Sequence, residues 1–100
     1  MKSYRLLVRS CAERDIAQAI ADYEAISTGL GAMFLARTDA AIAAIRRTPE
    51  GYRRSHGAYR HLVLRRFPFG VFYLFDGKTI SVAAVLPLRQ DPDVLQARLR

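Results

Sequence analysis

The chain has 100 residues and a single cysteine, Cys11, which excludes an internal disulfide and a cysteine-based metal site. Its composition, 51% hydrophobic and 25% charged, is typical of one globular domain over residues 1–100. No apolar run reaches the roughly 18 residues of a membrane span. Lys2, Arg5 and Arg9 interrupt the N-terminal segment where a signal peptide needs an apolar core, so we expect a cytoplasmic protein.

The net charge of +7 comes entirely from the second half of the chain. Residues 1–45 carry five basic and five acidic side chains, whereas residues 46–100 carry eleven basic and four acidic ones. Fourteen of the sixteen basic residues are arginine, whose planar guanidinium pairs with carboxylates and phosphates through two hydrogen bonds. This charge indicates either an anionic partner, a nucleic acid or an acidic polypeptide, or an ordinary solvated basic surface.

The first predicted elements are a strand and a helix. Apolar and polar residues alternate over residues 4–9, as in a strand. A helix follows from Ser10, which stands three residues before Glu13, the spacing of a capping box. Asp15 adds negative charge near the positive end of the helix dipole. Ser27-Thr28-Gly29 predicts the helix end. The apolar stripe has helical spacing and comprises Ala12, Ile16, Ala19, Ile20, Tyr23 and Ile26.

A second helix is predicted over residues 30–47. Arg46 and Arg47 lie in its last turn, where cations suit the dipole, and Pro49 prevents continuation. Because the loop between the helices is short and contains a glycine, the two should form an antiparallel hairpin. The apolar positions of the second helix recur at steps of three and four: Leu30, Phe34, Thr38, Ala41, Ile42 and Ile45.

The second half of the chain predicts a loop and then three strands. Residues 48–58 contain one proline and two glycines, as loops do. A turn is expected at Phe67-Pro68-Phe69-Gly70. Asp76-Gly77 is a strong signal for a two-residue hairpin turn in which both residues take positive φ. The strands are predicted from residue 59 to residue 65 or 66, over residues 71–75 and over residues 79–86.

The predicted order of elements is that of an α+β domain, with the helical hairpin on one face of the sheet. It comprises an N-terminal strand, two helices, a three-stranded antiparallel meander and a short C-terminal helix. Pro87 and Pro92 end the sheet, and Asp91 or Asp93 caps the final helix. The strand over residues 71–75 has large apolar side chains on both faces, and the hairpin covers only one. The other face should meet the C-terminal segment, a second copy or a partner.

Four segments resemble the RelE/ParE superfamily, the toxins of type II toxin–antitoxin systems, also called plasmid stabilisation proteins. They are SxxERDI at the first helix, GLGAMFLARTDAAIAAI, RRFPFGVFYLFDGKTISVAAVL, and RxDP near the C-terminus. The resemblance covers residue 3 to about residue 93 and keeps the order and spacing of the motifs. It implies the α+β fold described above and one of two activities.

The RelE-like activity would be ribosome-dependent cleavage of mRNA, which needs a general base, cations and a proton donor. Gly70 stands where such toxins carry an arginine, residues 48–58 contain no lysine, and the C-terminus has no tyrosine or histidine. For His56 and His61 the favoured reading is an ordinary one, a loop residue and a strand-surface residue. The nuclease set is therefore incomplete. Its candidate catalytic residues are His61, Arg65, Tyr73 and Arg89.

The ParE-like activity would be inhibition of DNA gyrase by binding, with no bond-making by the toxin. The RRFPFG segment, with proline and glycine around Phe69, is more similar to this branch. A charged strand end that keeps a sheet edge soluble is the other reading of Arg65 and Arg66. The resemblance implies partner contacts at Arg60, Arg65, Arg66, Tyr73 and Arg89.

The resemblance also implies a cognate antitoxin, a small acidic protein whose C-terminal part folds along the toxin and whose N-terminal half binds DNA. We therefore expect a hetero-oligomeric complex, DNA gyrase as the target, no cofactor or metal, no membrane, and no DNA binding by this chain alone. The sequence favours a ParE-like toxin. The RelE-like ribonuclease is the alternative, and a basic nucleic-acid-binding module without toxicity is a third reading.

Overall fold

The computed structural model describes residues 4–100 and shows one five-stranded sheet with helices on both faces. The strand order is β1-β5-β4-β3-β2, with β1 parallel to β5 and the other neighbours antiparallel. The predicted α+β fold is confirmed, and β3, β4 and β5 form the expected meander. The elements are β1 (Arg5–Val8), α1 (Ser10–Ile26), α2 (Leu30–Arg47), β2 (Arg54–His56), β3 (Tyr59–Val63), β4 (Phe69–Phe75), β5 (Thr79–Pro87) and α3 (Pro92–Arg98).

The helical hairpin of α1 and α2 forms as predicted. Gly29 takes the left-handed conformation, with φ of +91°, that a tight connection between two helices requires. The Glu24 carboxylate of α1 accepts hydrogen bonds from the backbone N–H groups of Gly29 and Gly31, and so satisfies free donors at the start of α2. A Cβ on Gly31 would lie 2.8 Å from the Ile20 carbonyl oxygen, so a glycine at this position allows the helices to pack closely.

The predicted capping box at the start of α1 is wrong. Arg9 is the N-cap residue, Ser10 already lies within the helix, and the cap makes no side-chain hydrogen bond. The Glu13 N–H instead bonds to the Arg9 carbonyl oxygen. Ile26, placed on the buried stripe by its spacing, is the last residue of α1 and is 73% exposed.

The loop predicted over residues 48–58 contains the three-residue strand β2, which pairs with the start of β3. Strand β3 ends at Val63, so Arg65 and Arg66 lie in the following turn rather than at a strand end. Strand β4 begins at Phe69, two residues earlier than predicted. Backbone pairing with β3 therefore creates β2, and pairing with β5 extends β4 to Phe69.

The hairpin turn between β4 and β5 differs from the predicted one. Only Gly77 has positive φ, at +95°, and the Asp76 N–H bonds to the Thr79 carbonyl oxygen, which places Gly77 and Lys78 in the loop. The Asp76 carboxylate accepts the N–H groups of Lys78 and Thr79 at 2.9 and 2.7 Å. Asp76 therefore stabilises the turn through its side chain rather than through its own φ.

The sheet separates two apolar layers. On the hairpin face, Val71 and Tyr73 of β4 pack with the buried side chains of α1 and α2. On the opposite face, Phe72 packs with Leu95 and Leu99 from the C-terminal segment. Of the three coverings expected for this second face, the structure shows the C-terminal segment, since α3 lies across it. The Asp91 side chain caps α3, as predicted, by accepting the Asp93 N–H.

Candidate functional site

Three arginines predicted to contact a partner lie at one end of the sheet. Arg65 and Arg66 occupy the β3–β4 turn, and Arg89 follows β5. The two segments are adjacent because the Leu88 N–H bonds to the Pro68 carbonyl oxygen at 2.9 Å. All three arginines are exposed, and within residues 4–100 none has a carboxylate at ion-pair distance. We call this surface, formed by Arg65, Arg66 and Arg89, the arginine end; its guanidinium groups are available to an anionic partner.

Arg66 has a left-handed backbone conformation, with φ of +70°, that residues other than glycine rarely adopt. The turn imposes it, because the Leu64 N–H bonds to the Phe69 carbonyl oxygen while Phe67 is buried. The Phe67 ring packs edge-on against Phe34, with centroids 5.2 Å apart. A strained backbone conformation of this kind persists only where the surrounding packing holds it in place, and such residues often occur at functional sites. No feature of the sequence indicates the left-handed conformation of Arg66.

Arg60 and Tyr73, the two other predicted contact residues, anchor the loop after α2. They are cross-strand neighbours on β3 and β4. Arg60 Nη1 donates to the carbonyl oxygens of Tyr52 at 2.7 Å and Glu50 at 3.2 Å. The Tyr73 side chain is fully buried, and its hydroxyl donates to the Pro49 carbonyl oxygen at 2.7 Å. In this geometry the Tyr73 hydroxyl is not free for a partner or a substrate, and Nη1 of Arg60 is used within the chain.

His61 belongs to a small polar cluster on the α3 face of the sheet. Its Nδ1 lies 2.8 Å from Ser55 Oγ, and His56 Nδ1 lies 3.3 Å from the same hydroxyl. The His61 ring stacks on Phe72, with centroids 5.2 Å apart. Burial, and then the charge of His56, lower the pKa of His61 below its usual range. The sequence did not indicate Ser55, because only the pairing of β2 with β3 brings it to His61.

The four candidate nuclease residues therefore do not converge. His61 pairs with Phe72 and so lies on the α3 face, whereas Tyr73 lies in the core on the hairpin face. Arg65 and Arg89 belong to the arginine end. A general base, a proton donor and a cation would have to reach one phosphate, and the sheet itself separates two of these groups.

Gly70 lies beside the stacked rings of His61 and Phe72. A Cβ at this position would lie 3.1 Å from Phe72 Cε1 and 3.5 Å from His61 Cδ2. The first distance is tighter than ordinary contact, so any larger side chain would have to displace the Phe72 ring. An arginine, the residue that the resemblance leads one to expect here in a RelE-like toxin, would require the Phe72 ring to shift.

A broad groove of about 720 Å³ lies between the β2–β3 turn and α3, with Tyr59, Leu74 and Leu99 among its lining residues and His56 and Arg100 adding polar groups. Within residues 4–100, no three His, Cys, Asp or Glu side chains come close enough together to bind a metal ion. In the same part of the chain, no helix is both long enough and apolar enough to cross a membrane.

Replacing Tyr73 with phenylalanine should lower the free energy of unfolding by about 1 to 2 kcal/mol, because the buried Pro49 carbonyl loses its hydrogen-bond donor. Burial raises the pKa of Tyr73 to about 12, with the Arg60 guanidinium opposing the shift. A tyrosine in the unfolded chain ionises near ~10. The folded wild type should therefore lose stability as the pH rises from about 10 to about 12, while Tyr73→Phe lacks this loss. Urea unfolding of both proteins between pH ~10 and ~12 measures the change in the free energy of unfolding with pH. The same pH dependence in wild type and Tyr73→Phe would contradict the prediction.

His61 should make the protein less stable in mild acid. Its pKa is lowered in the folded state from 6.5, so the unfolded chain takes up the proton more readily. The free energy of unfolding should therefore be highest above pH 6.5 and fall as the pH drops below it. Thermal unfolding of wild type and His61→Gln between neutral and mildly acidic pH checks this, with His56→Gln as the matched variant. A wild-type slope retained in His61→Gln would assign the effect to another group.

No family model matches the sequence, and the search of curated proteins finds no match either. Among solved structures, the chain is similar to one from the chromosomal ParDE TA system of P. aeruginosa, with a TM-score of 0.75 and 17% identity. The similarity covers 85% of this chain and 96% of that one. At this level of identity it is the fold that is shared. The chain therefore has the RelE/ParE-like fold that its sequence resembles.

Proposed function

We propose that this chain is the toxin of a type II toxin–antitoxin system, that it inhibits DNA gyrase by binding it, and that a cognate antitoxin neutralises it in the cytoplasm. The observation that carries the proposal is the arginine end on a fold shared with a ParDE system. Its three guanidinium groups are exposed and form no ion pair with any residue in the described part of the chain. Arginines at the centre of an interface are common hot spots, and their geometry suits acidic partners.

The divided nuclease candidates support binding over catalysis. The Tyr73 hydroxyl is committed to the Pro49 carbonyl, Arg60 to two others, and Gly70 leaves no place for an arginine without moving Phe72. A toxin that only binds needs surface charge and shape, both of which the arginine end supplies. It needs no converging acid and base.

A supercoiling assay tests the proposal. Purified gyrase is titrated with the toxin on relaxed plasmid, and inhibition should rise to saturation with toxin concentration. The cognate antitoxin, expressed from the adjacent reading frame, should reverse it. Uninhibited gyrase at saturating toxin would refute the gyrase target. Growth that continues unchanged when the toxin is induced alone would refute toxicity itself.

Two substitutions should separate binding from folding at the arginine end. Arg65→Glu should weaken gyrase inhibition by about tenfold or more. The substitution removes one hot-spot contact, and the new carboxylate repels an acidic partner. Arg66→Gly removes a guanidinium but suits the positive φ, so it should weaken inhibition while leaving the free energy of unfolding unchanged or higher by up to ~1 kcal/mol. Arg14→Glu on α1, an exposed arginine outside the arginine end, is the control. Equal losses in all three variants would assign the effect to net charge.

A RelE-like ribonuclease remains a second candidate because of the His61–Ser55 pair, a half-buried imidazole whose Nδ1 is positioned by a hydroxyl. In this arrangement the other ring nitrogen could act as a general base. Mapping mRNA 5′ ends after induction distinguishes the two functions. Cuts at a fixed codon position that disappear in His61→Gln would establish the ribonuclease. Unchanged mRNA ends together with blocked supercoiling would exclude it.

A further inference from the structure

Helix α1 runs along β5 toward the arginine end. Near its start the Cys11 thiol donates to the Ala83 carbonyl oxygen at 3.3 Å, and one turn later the Asp15 carboxylate accepts the Val85 N–H at 3.0 Å. Higher residue numbers on the helix therefore lie beside higher residue numbers on the strand. Both elements lead toward the end of the sheet where Arg89 follows β5.

The last turns of α1 extend past the end of the sheet. From Asp15 to Ile26 the helix rises ~16 Å, at ~1.5 Å per residue. From Val85 to Pro87, the last residue of β5, the strand advances only ~7 Å. The helical hairpin therefore projects beyond the strands. We call residues 26–33, which connect α1 to the first turn of α2, the hairpin tip.

Aromatic contacts place the hairpin tip beside the arginine end. Tyr23, one turn before Ile26, has its ring centroid 4.8 Å from that of Phe67. Phe34, directly after the tip, contacts the same ring with centroids 5.2 Å apart. Because Phe67 follows Arg66 in the β3–β4 turn, both helices contact this turn close to the tip. The hairpin tip and the three arginines therefore lie at one end of the molecule.

Apolar side chains are exposed at this end. Ile26 has the spacing of the apolar stripe on α1 but lies past the strands that cover the rest of it, and it is 73% exposed. Met33, in the first turn of α2, is 40% exposed, and Leu88, beside Arg89, is 44% exposed. Single exposed apolar residues are ordinary on a protein surface, but these three border the arginine end. Together they form an apolar patch beside positive charge.

The hairpin tip contains no charged side chain. Residues 26–33 are ISTGLGAM, and the nearby Glu24 carboxylate is occupied by the N–H groups of Gly29 and Gly31. Protein–protein interfaces have an apolar centre that is depleted of charge, and arginine is the charged residue enriched in them. The hairpin tip and the arginine end together have this composition.

The chemistry of this surface favours a protein as its occupant. A phosphate backbone would pair with the arginines but would leave Ile26 and Met33 without apolar contacts. A second copy, related by two-fold symmetry, would bring like charges together. A helix that lies on a membrane buries a long apolar face, which the short tip does not offer. An apolar patch bordered by carboxylates, on another protein, suits both the tip and the arginines.

We propose that the hairpin tip is the apolar half of the surface that binds the toxin's target, with Ile26 as its anchor. The proposal rests on the proposed function in taking DNA gyrase as this target. Ile26 and Met33 enter an apolar depression on gyrase, and acidic side chains at its border pair with the arginine end. Burial of Ile26 removes apolar area from water and depends little on salt, whereas the arginine contacts are screened by it.

The test measures binding of the purified full chain to gyrase by biolayer interferometry, at low and at high salt. Ile26→Gln should weaken binding by at least about tenfold, and Met33→Gln by about threefold. Glutamine is compatible with the helix and leaves the net charge unchanged, so neither loss reflects long-range electrostatics. The loss in Ile26→Gln should persist at high salt, while the loss in Arg65→Glu should become smaller there.

Leu7→Gln is the matched control. Leu7 is 53% exposed on β1, where it pairs with Ser81 in the first half of β5, away from the hairpin tip. The affinity of this variant for gyrase should stay within about twofold of the wild-type value. Thermal unfolding confirms that each variant is folded. Benzoylphenylalanine in place of Ile26 should form a photo-crosslink to gyrase, and in place of Leu7 it should not.

Unchanged binding of Ile26→Gln, or equal losses in Ile26→Gln and Leu7→Gln, would overturn this inference. The proposed function would survive that result if the wild type still inhibits supercoiling. A wild type that neither binds nor inhibits gyrase would refute both.

Other occupants of the hairpin tip are distinguished by three further measurements on Ile26→Gln. They are its oligomeric state, its binding to phosphatidylglycerol vesicles and its binding to the antitoxin. If the variant lost one of these wild-type properties and still bound gyrase normally, the tip would belong to a second copy, a membrane or the antitoxin, and the inference would be wrong.

Discussion

Replacing Phe34 with alanine is expected to lower the free energy of unfolding by about 3 to 5 kcal/mol, the largest loss we predict from a single substitution. Phe34 is fully buried on α2, and its ring contacts Tyr23, Phe67 and Phe69 at centroid distances of 5.5, 5.2 and 5.0 Å. The deleted ring leaves a cavity among three aromatic groups that cannot all close on it. Since small domains have only ~5 to 15 kcal/mol of stability in total, the variant should be close to unfolding at 37 °C.

Urea unfolding of Phe34→Ala against Leu35→Ala checks this prediction. Leu35 is the next residue on α2 and is 42% exposed, so its truncation should cost less than ~1 kcal/mol. Comparable losses in the two variants would contradict the placement of Phe34 at the centre of the hairpin layer.

The same substitution should affect the arginine end through the packing beneath it. Phe67 and Phe69 flank the β3–β4 turn and rest on Phe34, so they transmit the position of the hairpin to the turn. Phe34→Leu keeps most of the side-chain volume but loses the contacts of the ring. In this variant hydrogen exchange should become faster at the Leu64 amide than in wild type, while the amides of β5 exchange at nearly the wild-type rate. An unchanged turn would show that local hydrogen bonds alone hold Arg66 in its left-handed conformation.

Replacing Asp15 with alanine should lower the free energy of unfolding by about 2 to 3 kcal/mol, the second largest loss that we predict. The Asp15 carboxylate accepts two hydrogen bonds from Arg98, at 3.1 and 2.7 Å, and one from the Val85 N–H at 3.0 Å. These bonds tie α1, β5 and α3 together. The Asp15 and Arg98 side chains are 13% and 27% exposed, so partial solvation keeps the cost below that of a fully buried pair.

A double-mutant cycle with Arg98→Ala isolates the pair. Arg98→Ala alone should lower the free energy of unfolding by about 1 kcal/mol, because the Asp15 carboxylate still accepts the hydrogen bond from the Val85 N–H. The coupling energy between Asp15 and Arg98 should be about 1 to 2 kcal/mol. Hydrogen exchange should also show α3 opening in both single variants before the rest of the sheet. A coupling near zero would show that Leu95 and Leu99 alone hold α3 on the sheet.

The two long helices and the three-stranded meander were predictable from the sequence because their signals are local. Helix α2 has the predicted bounds, since the spacing of Phe34, Thr38 and Ile45 and the stop before Pro49 depend only on neighbouring residues. The opposed faces of β4 were also correct, because side chains alternate along any strand.

Predictions that depended on which polar groups pair were less successful. Ser10 and Glu13 have the capping-box spacing, yet Arg9 occupies the N-cap and β1 connects directly into the helix. Strand β2 has no apolar run of its own and exists through its pairing with β3. Asp76 shapes its turn through its carboxylate, and the sequence signal concerned only backbone φ.

The sequence by itself determined the fold class, the two-sided apolar strand and the excess of arginine in the second half of the chain. Tertiary structure alone decided what each arginine does. Arg60 donates to two loop carbonyls and Arg98 is paired with Asp15. Arg65, Arg66 and Arg89 instead meet at one end of the sheet, where no carboxylate among residues 4–100 pairs with them. Apolar periodicity is local, while the partner of a guanidinium can lie anywhere in the chain, as the separation of Asp15 and Arg98 by 83 residues shows.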